Sequence, residues 1–249
     1  MDESVRQAVA RAIVTMHENL GDYVTIDDLA RSAMFSKFHF TRIFQRTTGL
    51  SPGRFLAALR LAEAKRLLVT TSISVADISH QVGYNSVGTF SARFSGSVGL
   101  SPTRYRQLRG QPPRIPEREG APGCGTTVRG QLSCPPEVQF GLVFVGLFPG
   151  RIVEGPPVRY LILPRPGPYA LPDVPAGEWH VIVHTFGTEH REDHVTRAYT
   201  GIAGPLTARR GLVAGIADVR LRSRRRFDPP PLLALPDLRH VPARQPIAV

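Results

Sequence analysis

Cysteine, tryptophan and long apolar runs are what this sequence has least of. Two thiols, Cys124 and Cys134, are too few for a disulfide framework or a four-thiolate zinc site. No stretch approaches the ~18 consecutive apolar residues that a membrane span needs, so no membrane partner is expected. The opening Met1-Asp2-Glu3 is acidic and then amphipathic, unlike a secretory leader, and the expected location is the cytoplasm. Acidic side chains are also scarce: 20 Asp and Glu stand against 31 Lys and Arg, a formal charge of +11. Up to Gln111 there are 14 basic and 8 acidic residues, and beyond it 17 and 12, so the excess runs through both halves. Such a balance suits a polyanionic partner, although an arginine- and proline-rich composition gives charge alone little weight.

What the first half does have is an internal repeat. Phe40, Phe44, Gly49, Leu50, Ser51, Pro52 and Phe55 return as Phe90, Phe94, Gly99, Leu100, Ser101, Pro102 and Tyr105, at an offset of 50. Upstream the offset is 49, where Thr25-Ile26-Asp27-Asp28-Leu29 matches Ser74-Val75-Ala76-Asp77-Ile78. The change falls in a turn, where an insertion is easily absorbed. Each copy reads as helix, turn, helix. Thr25 and Ser74 are N-caps with Asp28 and Asp77 three residues on, close to a capping box. The first helix of each copy ends near Ala33 or Val82. Ser36, and Asn85 or Ser86, cap the second, whose buried stripe is Phe40, Ile43 and Phe44 in one copy and Phe90 and Phe94 in the other. Gly49 and Gly99 suit a left-handed helix stop, and Ser51-Pro52 and Ser101-Pro102 restart the chain. Helices over 4–20 and 52–69 complete the domain, the latter joining the two copies. A generic helical bundle would need none of this duplicated punctuation.

Over residues 5–109 the chain resembles the AraC/XylS family of bacterial regulators. The resemblance rests on Leu29-Ala30, Ser36 to Phe44 (SKFHFTRIF) and Arg60 to Leu68 (RLAEAKRLL). It continues through Val82-Gly83-Tyr84-Asn85-Ser86, Thr89-Phe90-Ser91, Phe94 and Gly99 to Arg106 (GLSPTRYR). It implies a non-enzymatic transcription regulator without a cofactor, whose two second helices enter successive major grooves over residues 36–46 and 86–96. Double-stranded DNA and RNA polymerase are the expected partners, with a small-molecule effector at the C-terminal domain.

At 100° per residue, the face of the first recognition helix opposite Phe40 and Phe44 holds Phe38, Arg42 and Gln45, flanked by Thr41 and Arg46. Arg42 suits a bidentate contact to guanine, and Gln45 or Thr41 a polar base edge. Lys37 and Arg46 suit phosphates. Phe38 either meets a thymine methyl or packs on a neighbouring helix. The second recognition face is small and uncharged: Gly88, Ser91, Ala92 and Ser95, with Gly96 at its edge. Family base-contact positions match Val87, Gly88, Thr89 and Ala92 there, and Arg93 could reach a phosphate. Ser36 and Ser86, at the starts of the two segments, complete the candidate DNA-binding set.

Residues 111–126, rich in Pro, Gly and charge, read as a linker between an all-α domain (1–110) and an all-β domain (127–249). Short β runs at 127–132, 138–148, 158–163, 179–186 and 212–221 suggest an antiparallel β-sandwich. The fold class is thus multidomain, tandem helix-turn-helix then β-sandwich. Gly167 to Val181 resembles the hairpin of prealbumin-like, carboxypeptidase regulatory-like domains, which implies a binding module. The competing reading is a ligand- or metal-sensing β domain for which DNA binding is secondary, since His180, His184, His190 and His194 crowd beside Glu189, Glu192 and Asp193. Yet His180 and His184, four apart on a strand, lie ~13 Å apart, too far to share an ion. A solvated loop is the simpler account of the rest, and no metal is expected. Some relatives accept alkyl groups from damaged DNA on a cysteine, but neither Cys124 nor Cys134 has a matching motif around it. Arg220 to Arg226 and the Pro-rich tail read as a solvated strand end followed by extended, mobile chain.

Overall fold

The computed structural model describes residues 3–115, 123–136, 138–186, 197–210, 216–236 and 238. By packing the chain divides into two compact units. One is Met1–Pro112 with Arg225–Ala234; the other is Pro113–Arg224 with Leu235–Val249.

The first unit is helical: α1 (Glu3–Glu18), α2 (Ile26–Ser32), α3 (Lys37–Thr48), α4 (Pro52–Thr70), α5 (Val75–Gln81), α6 (Val87–Val98) and α7 (Pro102–Gln107). The repeat read from the sequence governs its punctuation. Thr25 closes a full capping box, accepting the Asp28 N–H at 3.1 Å while the Asp28 carboxylate accepts the Thr25 N–H at 3.0 Å. Ser74 accepts the Asp77 N–H at 3.0 Å. Gly49 and Gly99 stop α3 and α6 at φ 81° and 82°, in the left-handed region that L side chains avoid. Ser51 and Ser101 then cap α4 and α7, each with proline in the first helical turn. The expected cap at Ser36 is corrected: its backbone takes the N-cap geometry, but its hydroxyl makes no capping bond, whereas Ser86 accepts the Thr89 N–H at 3.1 Å.

Both helix-turn-helix segments are pinned by one aromatic device. Phe44 stands edge-on to Phe55 with ring centroids 5.4 Å apart, and Phe94 edge-on to Tyr105 at 5.6 Å. Phe40 and Phe90 complete the two stacks, at 5.5 Å from Phe44 and 5.6 Å from Phe94. Edge-to-face geometry of this kind adds about 0.5–1.5 kcal/mol beyond area burial. The turns inside the segments match too. Met34 and Gly83 donate to Arg31 O and His80 O, and Phe35 and Tyr84 to Ala30 O and Ser79 O. Both turns need positive φ, 63° at Met34 and 83° at Gly83.

The helix α4 joins the two segments, and its Arg60 ties them. The guanidinium donates to Leu20 O at 3.0 Å and Asp22 O at 2.8 Å, the stretch between α1 and α2. It also lies against Gly83 of the second segment, where an added Cβ would come within 2.7 Å of it.

The second unit is β-rich, with β1 (Thr126–Ser133), β2 (Val143–Phe148), β3 (Arg159–Leu163), β4 (Pro168–Val174), β5 (Gly177–Phe186), β6 (Ala198–Ala208), β7 (Val219–Arg220) and β8 (Arg222–Ser223). They form a three-stranded sheet ordered β4-β1-β7 and a five-stranded sheet ordered β3-β2-β5-β6-β8. All pairings are antiparallel except β1–β7. Val128 and Leu171 of one sheet share a hydrophobic core with Val145, Val181 and Trp179 of the other. The expected hairpin over 167–181 is corrected. Its two strands do not pair with each other: β4 pairs with β1, and β5 with β2 and β6, so the segment crosses from one sheet to the other. Strand β6 is absent from the sequence expectation because Gly201, Gly204 and Pro205 read there as turn residues. The 138–148 run is strand only from Val143; of the expected 212–221 strand, 212–215 lie outside the described residues and the described remainder is strand only at Val219–Arg220.

The Pro-rich tail is corrected as well. Residues 225–234 are packed into the helical unit, with Leu232, Leu233 and Ala234 each 1% exposed, whereas Leu238 belongs to the β-rich unit and accepts the Leu142 N–H at 2.8 Å. The signal for this was the apolar run Leu232-Leu233-Ala234-Leu235, masked by the prolines on either side.

The two turns generate a prediction. Relieving a left-handed non-glycine gains roughly 1–2 kcal/mol, less roughly 0.4–1 kcal/mol of added unfolded-state entropy. Met34→Gly should therefore raise stability by roughly 0.5–1 kcal/mol, read as a higher urea midpoint. Gly83→Ala should lower it by roughly 2 kcal/mol or more, because the new Cβ would lie 2.5 Å from Leu20 O.

Candidate nucleic-acid interface

Each second helix of the duplicated segments divides into a buried face and an open one. On α3, Phe40 and Phe44 are fully buried and Ile43 is 7% exposed. The opposite face carries Lys37, Phe38, Arg42, Gln45 and Arg46, all exposed, with Thr41 half-buried beside them. Ser36, at the helix start, is exposed. Phe38 is 88% exposed, which excludes its packing on a neighbouring helix. Thr41 donates its hydroxyl hydrogen to Lys37 O at 2.9 Å, so its oxygen can only accept from a further partner. Lys37 pairs with Asp27 at 2.9 Å, but both side chains are about half exposed, and such a pair is worth little in water. Lys37, Arg42 and Arg46 make this an exposed cationic strip with no carboxylate on α3 itself.

The corresponding face of α6 is open and nearly uncharged. Phe90 and Phe94 are fully buried, whereas Ser86, Val87, Gly88, Thr89, Ala92 and Arg93 are exposed. Ser86 is engaged locally, its hydroxyl donating to Thr89 Oγ1 at 2.9 Å while accepting the Thr89 N–H. Arg93 is the single charge on this helix. Gly88 and Gly96 have nothing within 4 Å of where a Cβ would stand. Packing therefore does not require either glycine.

Sequence reasoning missed Met34, which is 83% exposed one turn before Phe38. The offset of 49 that pairs it with Gly83 was the available signal. Among the described residues no group of three His, Cys, Asp or Glu could hold a metal ion. His190, His194, Glu189, Glu192 and Asp193 lie outside the described residues. Cys124 holds its sulfur 3.0 Å from Val174 O and 3.1 Å from Thr126 Oγ1. No described helix is long and apolar enough to cross a membrane.

The fold and these faces define a chain with two like helix-turn-helix segments, each offering one open helix face. A family model for a helix-turn-helix domain matches residues 29–108. The chain is 31% identical over 98 residues to the transcriptional activator AarP of Providencia stuartii, covering 39% of this chain and 73% of the relative. It belongs to the AraC/XylS family of transcription regulators. It is also 44% identical over 82 residues to an uncharacterized HTH-type regulator of Haemophilus influenzae, covering 33% of this chain and 28% of that protein. It spans 37% of the lactose operon transcription activator of Staphylococcus xylosus, at 31% identity over 102 residues and 41% of this chain. Apart from the Providencia activator, the chain thus spans well under half the length of these relatives. Among solved structures, an AraC-type DNA-binding domain of Chromobacterium violaceum aligns at 27% identity and a TM-score of 0.42, covering 45% of this chain and 99% of that one.

The open faces predict separable effects on stability. Phe38→Ala should change it by no more than about 0.5 kcal/mol, whereas Phe40→Ala should cost about 3–5 kcal/mol. Gly96→Ala should raise it by about 0.5–1 kcal/mol, since the helix gains propensity and meets no obstacle. Chemical denaturation of the three variants measures all of these.

Proposed function

We propose that the helical unit binds double-stranded DNA sequence-specifically and regulates transcription, with α3 and α6 inserted in successive segments of the major groove. The single observation that carries this reading is the duplicated division of α3 and α6 into a sealed aromatic face and an open face. A helix used only for packing has no need to leave Phe38, Arg42, Gln45 and Arg46 in water together. Two such helices in one chain could span groove segments about 34 Å apart, one turn of the duplex, without a second copy.

Within this reading the two helices have unequal tasks. The α3 helix offers Arg42 for a guanine edge, Gln45 and Thr41 for polar base edges, and Phe38 for a thymine methyl. Lys37 and Arg46 hold phosphates, Lys37 exchanging its weak pairing with Asp27 for a stronger anion. The α6 helix offers a low face of Gly88 and Ala92, with Val87 and Thr89 for methyls and Arg93 for a phosphate. Discrimination is therefore lopsided, and most of it comes from α3. The β-rich unit is where a small-molecule effector would act.

Binding-site selection with the full chain tests this reading. Arg42→Ala should relax base preference at one position by about 1–3 kcal/mol, whereas Ala92→Ser should leave the selected sequence unchanged. Affinity should also fall steeply with added salt as counterions are released. Equal loss of specificity from both variants would overturn the lopsided assignment, and selection of no sequence at all would overturn DNA reading.

A further inference from the structure

Between Arg225 and Ala234 the chain returns to the helical unit after the whole of residues 113–224. It starts with a tight turn, in which the Asp228 carboxylate accepts the Arg225 N–H at 2.7 Å and the Asp228 N–H donates to Arg225 O at 3.0 Å. Arg226 there lines an open groove with Ala10 and Val14 of α1 and Ser32 of α2. These are elements of the first helix-turn-helix segment, since α1 packs on α2 and α3. Pro229-Pro230-Pro231 follows, a stiff run that spans ~3.1 Å per residue when extended. The far end reaches the second segment. Lys65 Nζ, on α4 and 5.8 Å from the centre of the Tyr105 ring, donates to Pro231 O at 3.1 Å, Leu232 O at 2.8 Å and Leu233 O at 3.4 Å. The Ala234 N–H then donates to Val98 O at 2.9 Å, at the end of α6.

We propose that residues 225–234 are a strap across both helix-turn-helix segments, with Lys65 as its positioning residue, and that the strap sets the half-site spacing the protein accepts. The inference rests on the DNA-binding reading above and adds a determinant outside both recognition helices. The helix α4 and its Arg60 junction join the segments at one side. A proline-stiffened return path, running beside α1 and α2 at one end and bonded to α4 and α6 at the other, adds a second and separate restraint. Three carbonyls converging on one ammonium also satisfy backbone acceptors that burial of Leu232 and Leu233 withdraws from water. Because the β-rich segment leaves after Pro112 and returns at Arg225, it is tied to the reading unit at both ends.

The test uses the full-length chain and duplexes carrying its selected site, either intact, with one to four base pairs inserted between the half-sites, or with one half-site scrambled. The wild-type chain should lose at least about tenfold in affinity on a two-base-pair insertion. Lys65→Met, which removes the three donations, should bind the intact site about tenfold more weakly, tolerate the insertions with a flatter profile, and bind the single half-site as wild type does. Ala234→Pro, which removes the donor to Val98 at the other anchor, should repeat that pattern, with circular dichroism confirming native helix content in both variants. A wild-type spacing profile in both variants would overturn the strap. Equal losses on single and paired half-sites would overturn it too, since the segment would then only hold the second segment folded. A wild-type chain that selects no DNA sequence fails at the first step, and that outcome overturns the DNA-binding reading rather than the strap alone.

Discussion

The arrangement of the helical unit depends on the Arg60 guanidinium. It is the point where α1, the start of the first helix-turn-helix segment, the joining helix and the turn of the second segment meet. Burial lowers its pKa, yet a guanidinium stays charged far above neutral pH, so its donors always require acceptors. The carbonyls of Leu20 and Asp22 supply them, and no side chain larger than hydrogen fits at Gly83 beside it. Gly21 obeys the same constraint, since a Cβ there would lie 2.8 Å from Gln81 O. Two helix-turn-helix segments on one rigid rod would otherwise be free in angle. This junction fixes that angle with directional bonds rather than with apolar contact alone.

The junction explains why the turns of the two segments, alike in backbone, differ in sequence. Gly83 faces Arg60 and must be glycine for space as well as for its positive φ. Met34 takes the same conformation in open water, where only the φ is costly, and a non-glycine residue survives there at a modest price in stability. Elsewhere the duplication is carried by residues whose physics admits few substitutes: the left-handed stops Gly49 and Gly99, the serine caps with their prolines, and the aromatic stacks. Those features made the helical half legible in the sequence, down to the open faces of α3 and α6, because helical period and capping chemistry are local. Even there Ser36 marked the right position without supplying the expected bond.

The β-rich half was legible only in part, and the reason is that strand pairing is not local. Alternation and apolar runs located the strands that end in β2, β3 and β5. They could not show that β4 and β5, separated by Pro175 and Ala176, belong to different sheets. Strand β6 escaped because its glycines and Gly204-Pro205, which punctuate a loop when read locally, are accepted within a ladder that β5 supports along most of its length. The strap was hidden for the same reason. Its apolar residues are few, and the acceptor side of its contacts is backbone, which leaves no trace in side-chain pattern; only Lys65, 166 positions away from Pro231, reports it.

The bareness of α6 has the opposite character, being plain in sequence and unexplained by packing. A glycine inside a helix costs about 1 kcal/mol against alanine, and Gly96 has open space where a methyl group would stand. Several glycines of this unit have a structural cause, a positive φ at Gly49 and Gly99 and a close approach at Gly21 and Gly83, whereas Gly53, Gly88 and Gly96 have open space where a Cβ would stand. At Gly96 neither cause operates, and the helix carries the cost without an internal return. A surface kept low at the expense of its own helix makes physical sense if another body approaches the backbone there more closely than a side chain would permit. The groove wall of a duplex is such a body, and the charge on α3 is what would bring it in. Under the proposed reading the two helices would divide attraction and fit between them, with α4 and its Arg60 junction holding one in place beside the other.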